Sequence, residues 1–534
     1  MKQTNGAEPP VAAAVRMYKD ILGDCFLLTL EEKGRTSRIL IDCGVLQGVA
    51  GAREKMRLVA ADLVEACGGS VAEKRPGRLD LLVVTHEHWD HISGFSYAPD
   101  IFFGEDRLLR IGELWYAWTE KPTDKQAIRL RERFAKKKKA VSMAAAGSAA
   151  GPGSPFAAAP AAADRGLGDF IGPLDEGGLG AAGGAPRTGR AILDALRDAA
   201  DKVRYLEPGD TRATPGGPSV HTYVLGPPRR EEYLFRDLPV KGPGRETYLD
   251  SAANGGAAIE ELAENPQTDL TGHSPFARPH RTLDAAWRHE MKRESKRRAP
   301  RASEAELKVY KWIDRLYFAP RTGCRFGEAP APPGHDCDVD VECEEDQSYR
   351  RIDGDWLAAA GPLAMKLDSD TNNTSLVLAF ELPGDDRDVL LFAADAQVGN
   401  WLSWHLQDYK APGGGRVTAE EILGRTVLYK VGHHGSHNAT LNQQGLAMMK
   451  SPRLVAMIPT VEAIAKQQGS KGWEMPFPHL KTELLVRTRG RLLRGDAAPG
   501  KDADGTTITR DDDFVRKRVK TGPNGLWVEY RVAG

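Results

Sequence analysis

Short apolar runs separated by turn residues open the chain. Residues 25–30 (CFLLTL) make one run and residues 37–41 (SRILI) the next, with a polar turn containing Gly34 between them. The pattern predicts two strands of a buried hairpin. Apolar residues then recur at helical spacing, with Met56, Val59, Leu63 and Cys67 on one face and Gly68-Gly69 as a stop, which predicts a helix over 53–67. After Asp80 the sequence LLVV is wholly apolar and ends at Thr85 and His86, predicting a third strand.

Residues 107–139 read as helical, first around LLRIGELWYAW and then over 125–139. The run Lys136, Lys137, Lys138 and Lys139 reads as the solvated end of a helix, with a nucleic-acid contact as the sharper alternative. Residues 140–187 are Ala, Gly and Pro with few large side chains, too little apolar area to offset chain entropy, and are expected to be a flexible insertion. A helix over 191–200 and strands over 203–206 and 220–225 follow. Residues 233–350 form a second insertion, expected to be a cap or lid, with helices over 283–296 and 303–316 and an acidic loop over 324–346. Patterning resumes with strands over 374–381 and 388–393 around a Pro383-Gly384-Asp385 turn, then a helix over 401–406. Further strands are predicted over 426–431, 453–459, 484–487 and 526–532, the last closing a sheet edge. The core is thus read as 12–139, 188–232 and 351–534, interrupted by the two insertions.

Composition narrows the picture by exclusion. Lysine plus arginine number 73 against 74 acidic residues, so net charge gives no general attraction to nucleic acid or a membrane. No stretch approaches the roughly 20 apolar residues that span a bilayer, so membrane insertion is not expected. The first residues lack the apolar segment of a secretory signal, and six widely spaced cysteines suit a reducing compartment; a cytoplasmic location is expected. Cys324, His335, Cys337 and Cys343 read either as a structural zinc site or as ordinary loop residues.

The chemistry lies where the third apolar run ends. Thr85-His86-Glu87-His88-Trp89-Asp90-His91 gathers three imidazoles and a carboxylate, in a chain with 13 histidines in all. Burying so many polar groups unpartnered would cost several kcal/mol, roughly, and coordination of a metal ion removes that cost. Two further segments follow strand-like runs: Asp395 after 388–393, and Gly432-His433-His434-Gly435-Ser436-His437 after 426–431.

The pattern His-x-His-x-Asp-His after a strand resembles the metallo-beta-lactamase superfamily, and GDCFLLTL with ILIDCG resembles that family's first strand pair, with Asp42 as its structural aspartate. Asn372-Asn373-Thr374-Ser375, Ala394-Asp395 and Lys430-Val431-Gly432-His433-His434-Gly435-Ser436 resemble the soluble hydrolase domain of competence-type DNA-uptake proteins. The likeness spans residues 20–139, 190–230 and 360–490, and implies an α/β four-layer αββα sandwich with large insertions. It also implies that His86 and His88 serve one metal position, that Asp90 and His91 serve a second, and that Asp395 bridges them. His434, in preference to His433, would be the last ligand. The histidine that many members place between the first motif and the bridging aspartate has no convincing match; His221 is a weak candidate.

The implied cofactor is Zn²⁺, as one ion or two, with Mn²⁺ as the alternative. Two such ions activate water and neutralise charge on a cleaving bond. Asp90 would orient the nucleophile, and His433 or His437 would stabilise the developing oxyanion. Gly432 and Gly435 would let the backbone approach the site or simply turn the chain. The resemblance favours a phosphodiester substrate, a nucleotide or nucleic acid, and Lys430 points faintly the same way. A lactonase or beta-lactamase-like hydrolase is one alternative. A metal-stabilised interaction module that binds a protein partner through its insertions is another. Trp401, Trp404 and His405 read as core or pocket wall, His273, His280 and His289 as surface or cap residues, and His479 has no assigned place.

Overall fold

The computed structural model describes residues 11–149, 186, 188–216, 219–236, 285–297, 299–313, 360–468 and 472–532. They fall into two compact units, one within Met1–Phe134, Arg165–Ala253 and Lys366–Gly534, the other within Ala135–Asp164 and Asn254–Met365. In the second unit, helices Ala285–Ser295 and Glu304–Ile313 pack through Met291 and Tyr310. Residues 237–284 and 314–350 of that insertion, which include Cys324, His335, Cys337, Cys343, His273 and His280, lie outside the described residues, as do residues 150–185. Among the described residues no helix is long and apolar enough to cross a membrane.

The first unit is built on strands β1 (Ala12–Tyr18), β2 (Cys25–Glu32), β3 (Arg35–Cys43), β4 (Gly77–Val83), β5 (Leu109–Ala117) and β6 (Ala200–Leu206), then β7 (Thr211–Ala213), β8 (His221–Gly226), β9 (Val377–Glu381) and β10 (Val389–Phe392). After a small hairpin of β11 (Asp408–Lys410) and β12 (Arg416–Thr418) come β13 (Thr426–Lys430), β14 (Val455–Ile458), β15 (Leu492–Arg494), β16 (Val519–Thr521) and β17 (Trp527–Arg531). An eight-stranded sheet runs β16-β17-β1-β2-β3-β4-β5-β6, and a seven-stranded sheet runs β15-β14-β13-β10-β9-β8-β7.

Alternation along the strands explains the layering. Phe26, Leu28, Ile39, Ile41, Leu81 and Val83 face Leu378, Phe380, Leu390, Phe392 and Leu428 across the space between the sheets. The intervening Leu27, Leu40 and Leu82 pack outward against helices Ala52–Ala66, Trp89–Tyr97 and Gly189–Ala199. Helices Val398–Trp404, Ala419–Gly424 and Pro478–Thr488 cover the outer face of the second sheet, burying Tyr223, Leu391, Tyr429 and Ile458. Strands covered on both faces read as unbroken apolar runs, which is why LLVV and DVLLFA stood out. The result is a metallo-beta-lactamase-like αββα sandwich, with Trp401 and Trp404 fully buried in its core.

Four local expectations change. Residues 109–117 are a strand, not a helix, paired in parallel with β4 and β6; aromatic and apolar residues on both faces fit a central strand, and tertiary pairing decides between the two periods. Residues 484–487 belong to a helix, whose buried Leu480, Leu484 and Thr488 are spaced by four and whose first position is Pro478. The helix starting at Lys125 continues through Ala149, so the lysine run lies within it instead of ending it; Lys136 is exposed but Lys137 is buried. β17 is one strand in from the edge, with β16 outside it and β1 inside.

Candidate metal centre

Three strands, β4 of one sheet and the parallel pair β10 and β13 of the other, deliver the polar residues from their carboxyl ends. β4 leads into His86 and His88 and then into helix Trp89–Tyr97, whose first turn carries Asp90 and His91. β10 leads to Asp395, and β13 leads to His433 and His434. This is where open α/β sheets present their ligand crevice. The backbone there is held in an unusual form: Ala394, His433 and His434 have φ values of 48°, 42° and 51°, a left-handed region that costs non-glycine residues free energy and clusters at functional sites.

Close backbone approach sets the loop. Asp24 N–H donates to the Asp90 carbonyl at 2.9 Å, and Gly44 N–H donates to the Asp24 carbonyl at 3.0 Å. A Cβ on Gly44 would stand 2.2 Å from the Asp90 carbonyl carbon, so only glycine fits. At Gly432 a Cβ would meet the Ala439 carbonyl oxygen at 2.6 Å, so here too the glycine serves close approach.

Three of the imidazoles, those of His91, His434 and His86, are oriented by a partner on Nδ1. Asp42 accepts from the Thr85 backbone N–H at 2.8 Å and its hydroxyl at 2.7 Å, and its Oδ2 lies 2.8 Å from His91 Nδ1. His91 Nε2 therefore turns inward, 3.1 Å from Asp395 Oδ2. His434 Nδ1 donates to the Pro459 carbonyl at 2.8 Å, leaving Nε2 2.8 Å from Asp90 Oδ2. His86 Nδ1 faces Thr85 Oγ1 at 3.1 Å and Ser375 Oγ at 3.3 Å. Asn373 anchors the Asp395 loop: its Oδ1 accepts from Gln397 N–H at 3.1 Å and Asn400 N–H at 3.3 Å. Asn400 Nδ2 returns the bond to the Asn373 carbonyl at 3.0 Å.

Asp24, His91, Asp395 and His434 each present a donor atom within 4.8 Å of the others, and all four are buried. This Asp/His set is capable of holding a metal ion. Asp90 adjoins it through His434, whereas His86 and His88 meet edge to face beside it, with ring centroids 4.6 Å apart. The charges call for a cation. Burial opposes charge on His91, but Asp395, Asp24, Asp90 and Asp42 hold its imidazolium well above the ordinary histidine range. Burial also works against ionised Asp395, yet His91, Lys430 and His433 keep its carboxyl well below the usual range. Burial and the neighbouring His91 and His88 push His86 well down, and burial brings His433 down to about 4. Buried Asp24 Oδ1, Asp90 Oδ1 and His86 Nε2 receive no hydrogen bond. Unpartnered, dry donors of mixed carboxylate and imidazole type fit a divalent first-row ion.

Asp24 was not singled out in the sequence; a lone Asp after Gly23 has no spacing signature. Lys430 is buried, ion-paired with Asp24 and donating to the Ala394 carbonyl at 3.0 Å, so its charge is directed at the protein and not at a substrate. His221 is away from the set: it sits in β8, with Nε2 3.2 Å from the Lys410 carbonyl and its ring edge-on to Tyr223. His437 is partly exposed and packs edge-on to Phe477, which also neighbours exposed His479. His405 Nε2 lies 2.7 Å from the Gln444 carbonyl.

Comparison with known families agrees with this architecture. Residues 19–209 match the family model described as the Metallo-beta-lactamase superfamily. That span contains Asp24, Asp42 and the His86 to His91 segment, whereas Asp395 and His434 come from the chain beyond it. No curated protein matches the chain.

Proposed function

We propose that the protein is a metal-dependent hydrolase acting on a phosphodiester. The observation that carries the reading is the convergence of Asp24, His91, Asp395 and His434, from strand ends of two sheets, into one buried donor set. A divalent ion, Zn²⁺ in our reading and Mn²⁺ as the alternative, supplies when bound a Lewis acid able to make water nucleophilic near neutral pH. His91, Asp395 and His434 would hold the ion, with Asp90 beside them, and His86 and His88 would serve a second position. Asp24, whose other oxygen answers Lys430, offers a further carboxylate. The uncommitted Asp90 oxygen is available to orient the attacking water, and neutral His433 or partly exposed His437 to donate to the oxygen that gains charge.

The resemblance of residues 372–375, 394–395 and 430–436 to competence-type hydrolase domains favours a phosphodiester over a lactone or lactam. Free, buried Cys25, Cys43 and Cys67 support a reducing, cytoplasmic setting. The test is hydrolysis of bis-p-nitrophenyl phosphate, a lactone and a beta-lactam by chelator-stripped and metal-reloaded protein. The expected result is metal-dependent turnover of the phosphodiester, lowered on the order of 100-fold or more by Asp395→Ala. Turnover confined to the lactone or the lactam overturns the substrate assignment, and reloaded protein that hydrolyses none of the three overturns the hydrolase reading.

A further inference from the structure

His88 faces a carboxylate that no motif announces. Asp368 lies in helix Ala360–Asn372, and its Oδ1 is 3.7 Å from His88 Nε2. For comparison, two donors on one tetrahedral zinc, with bonds near 2 Å, stand about 3.3 Å apart. One helical turn on, Asn372 donates from Nδ2 to Asp368 Oδ2 at 3.1 Å, fixing the carboxylate by an i, i+4 pair. The other oxygen, Oδ1, is buried and accepts no hydrogen bond, and the residue is only 7% exposed. His86, whose ring meets that of His88 edge to face, likewise has a buried Nε2 without a hydrogen bond. No convincing sequence match supplies a third histidine for this pair, and His221 is engaged elsewhere.

We propose that Asp368 is the third protein donor of the His86 and His88 position, supplying Oδ1 to a divalent cation. The inference rests on the metal reading above and goes beyond it by naming a ligand and its orienting partner. Two imidazoles and a carboxylate make a donor set of the His₂-carboxylate kind that zinc accepts. Replacing an imidazole by a carboxylate adds negative charge and hardens the site, which moves its preference toward Mn²⁺ relative to three imidazoles. Asn372 is then a positioning residue, holding the carboxylate as outer-shell partners hold metal ligands.

The experiment is metal content of the full chain, stripped with chelator, reloaded with Zn²⁺ and desalted, followed by competition titration with a chromophoric chelator. Wild type is expected to hold two ions. Asp368→Ala should hold one, with affinity at the lost position weakened roughly 100-fold or more. Asp368→His should restore the second ion. Circular dichroism of the metal-free proteins reports whether each variant folds, and isosteric Asp368→Asn replaces Asp368→Ala if the latter does not. Two ions retained in the folded Ala or Asn variant, at affinities within about threefold of wild type, overturn the proposal. Wild type holding a single ion that Asp395→Ala abolishes also overturns it while leaving the hydrolase reading intact. Wild type holding no ion defeats both.

Discussion

Asp42 organises more of the centre than any residue that would touch an ion. It is fully buried, receives two hydrogen bonds from Thr85 and fixes which nitrogen of His91 points inward. Asp42→Ala leaves the Thr85 N–H and the His91 Nδ1 without that partner in a dry place. The expected cost is about 3 kcal/mol in urea unfolding, with zinc affinity reduced about 10- to 100-fold. Arg494 offers a second residue-scale case. Its side chain is fully buried and bonds Glu462 at 2.9 Å, Asp496 at 2.8 Å and Asp502. Arg494→Met leaves three carboxylates facing one another and should cost about 3–5 kcal/mol at pH 7. Burial raises the Asp502 carboxyl, but Lys481, the Ala503 N–H and Arg494 hold it below its ordinary value; Lys466 and Arg494 do the same for Glu462 against its burial. A depressed folded value stabilises above the unfolded value and is lost as pH falls through the folded one. Wild type should therefore lose stability below about pH 4, and the variant's deficit should shrink there, as chemical unfolding at pH 7 and pH 3 will show. The His86 to His91 segment was legible as candidate chemistry because its spacing is improbable by chance, and of its residues His91 enters the four-residue donor set. Asp24, Asp368 and Asn400 were not, since each is a single polar residue made meaningful by partners tens or hundreds of positions away.

At the scale of elements, the sequence marked strands well where both faces are covered and one residue type dominates, as in β2, β3, β4, β9, β10 and β13. It failed where a short apolar run suits two periods. Helix Pro478–Thr488 is the clearest instance: a strand would set residues 484 and 486 on one face, but Leu484 is fully buried and Val486 is 67% exposed. Leu484→Ala is expected to cost about 2–4 kcal/mol, and Val486→Ser less than about 0.5 kcal/mol, in paired denaturant titrations. Equal losses at both positions would contradict the helix. β5 went the other way, since LRIGELWYA carries apolar residues dense enough for either period, and only its parallel neighbours decide. β1 was missed because its AAAVRMY alternates weakly, its place being earned by pairing with β2 and β17.

For the whole molecule, the sandwich and the position of its centre at the carboxyl ends of β4, β10 and β13 follow from the order of the elements. Zinc that binds the folded centre and not the unfolded chain should raise the melting temperature, with about 2.7 kcal/mol of added stability at 100 times the dissociation constant. A calorimetric scan of stripped protein with and without Zn²⁺ checks this, and Asp395→Ala should abolish the shift. The donors also impose an order on biosynthesis. Asp24, His91, Asp395 and His434 adjoin in space yet are scattered along the polypeptide. A ribosome-bound fragment that stops short of His434 cannot house the ion in this set, and contacts between segments so remote form slowly. Loading is thus a late checkpoint: in refolding with Co²⁺, the visible colour of the bound ion should lag behind the burial of tryptophan.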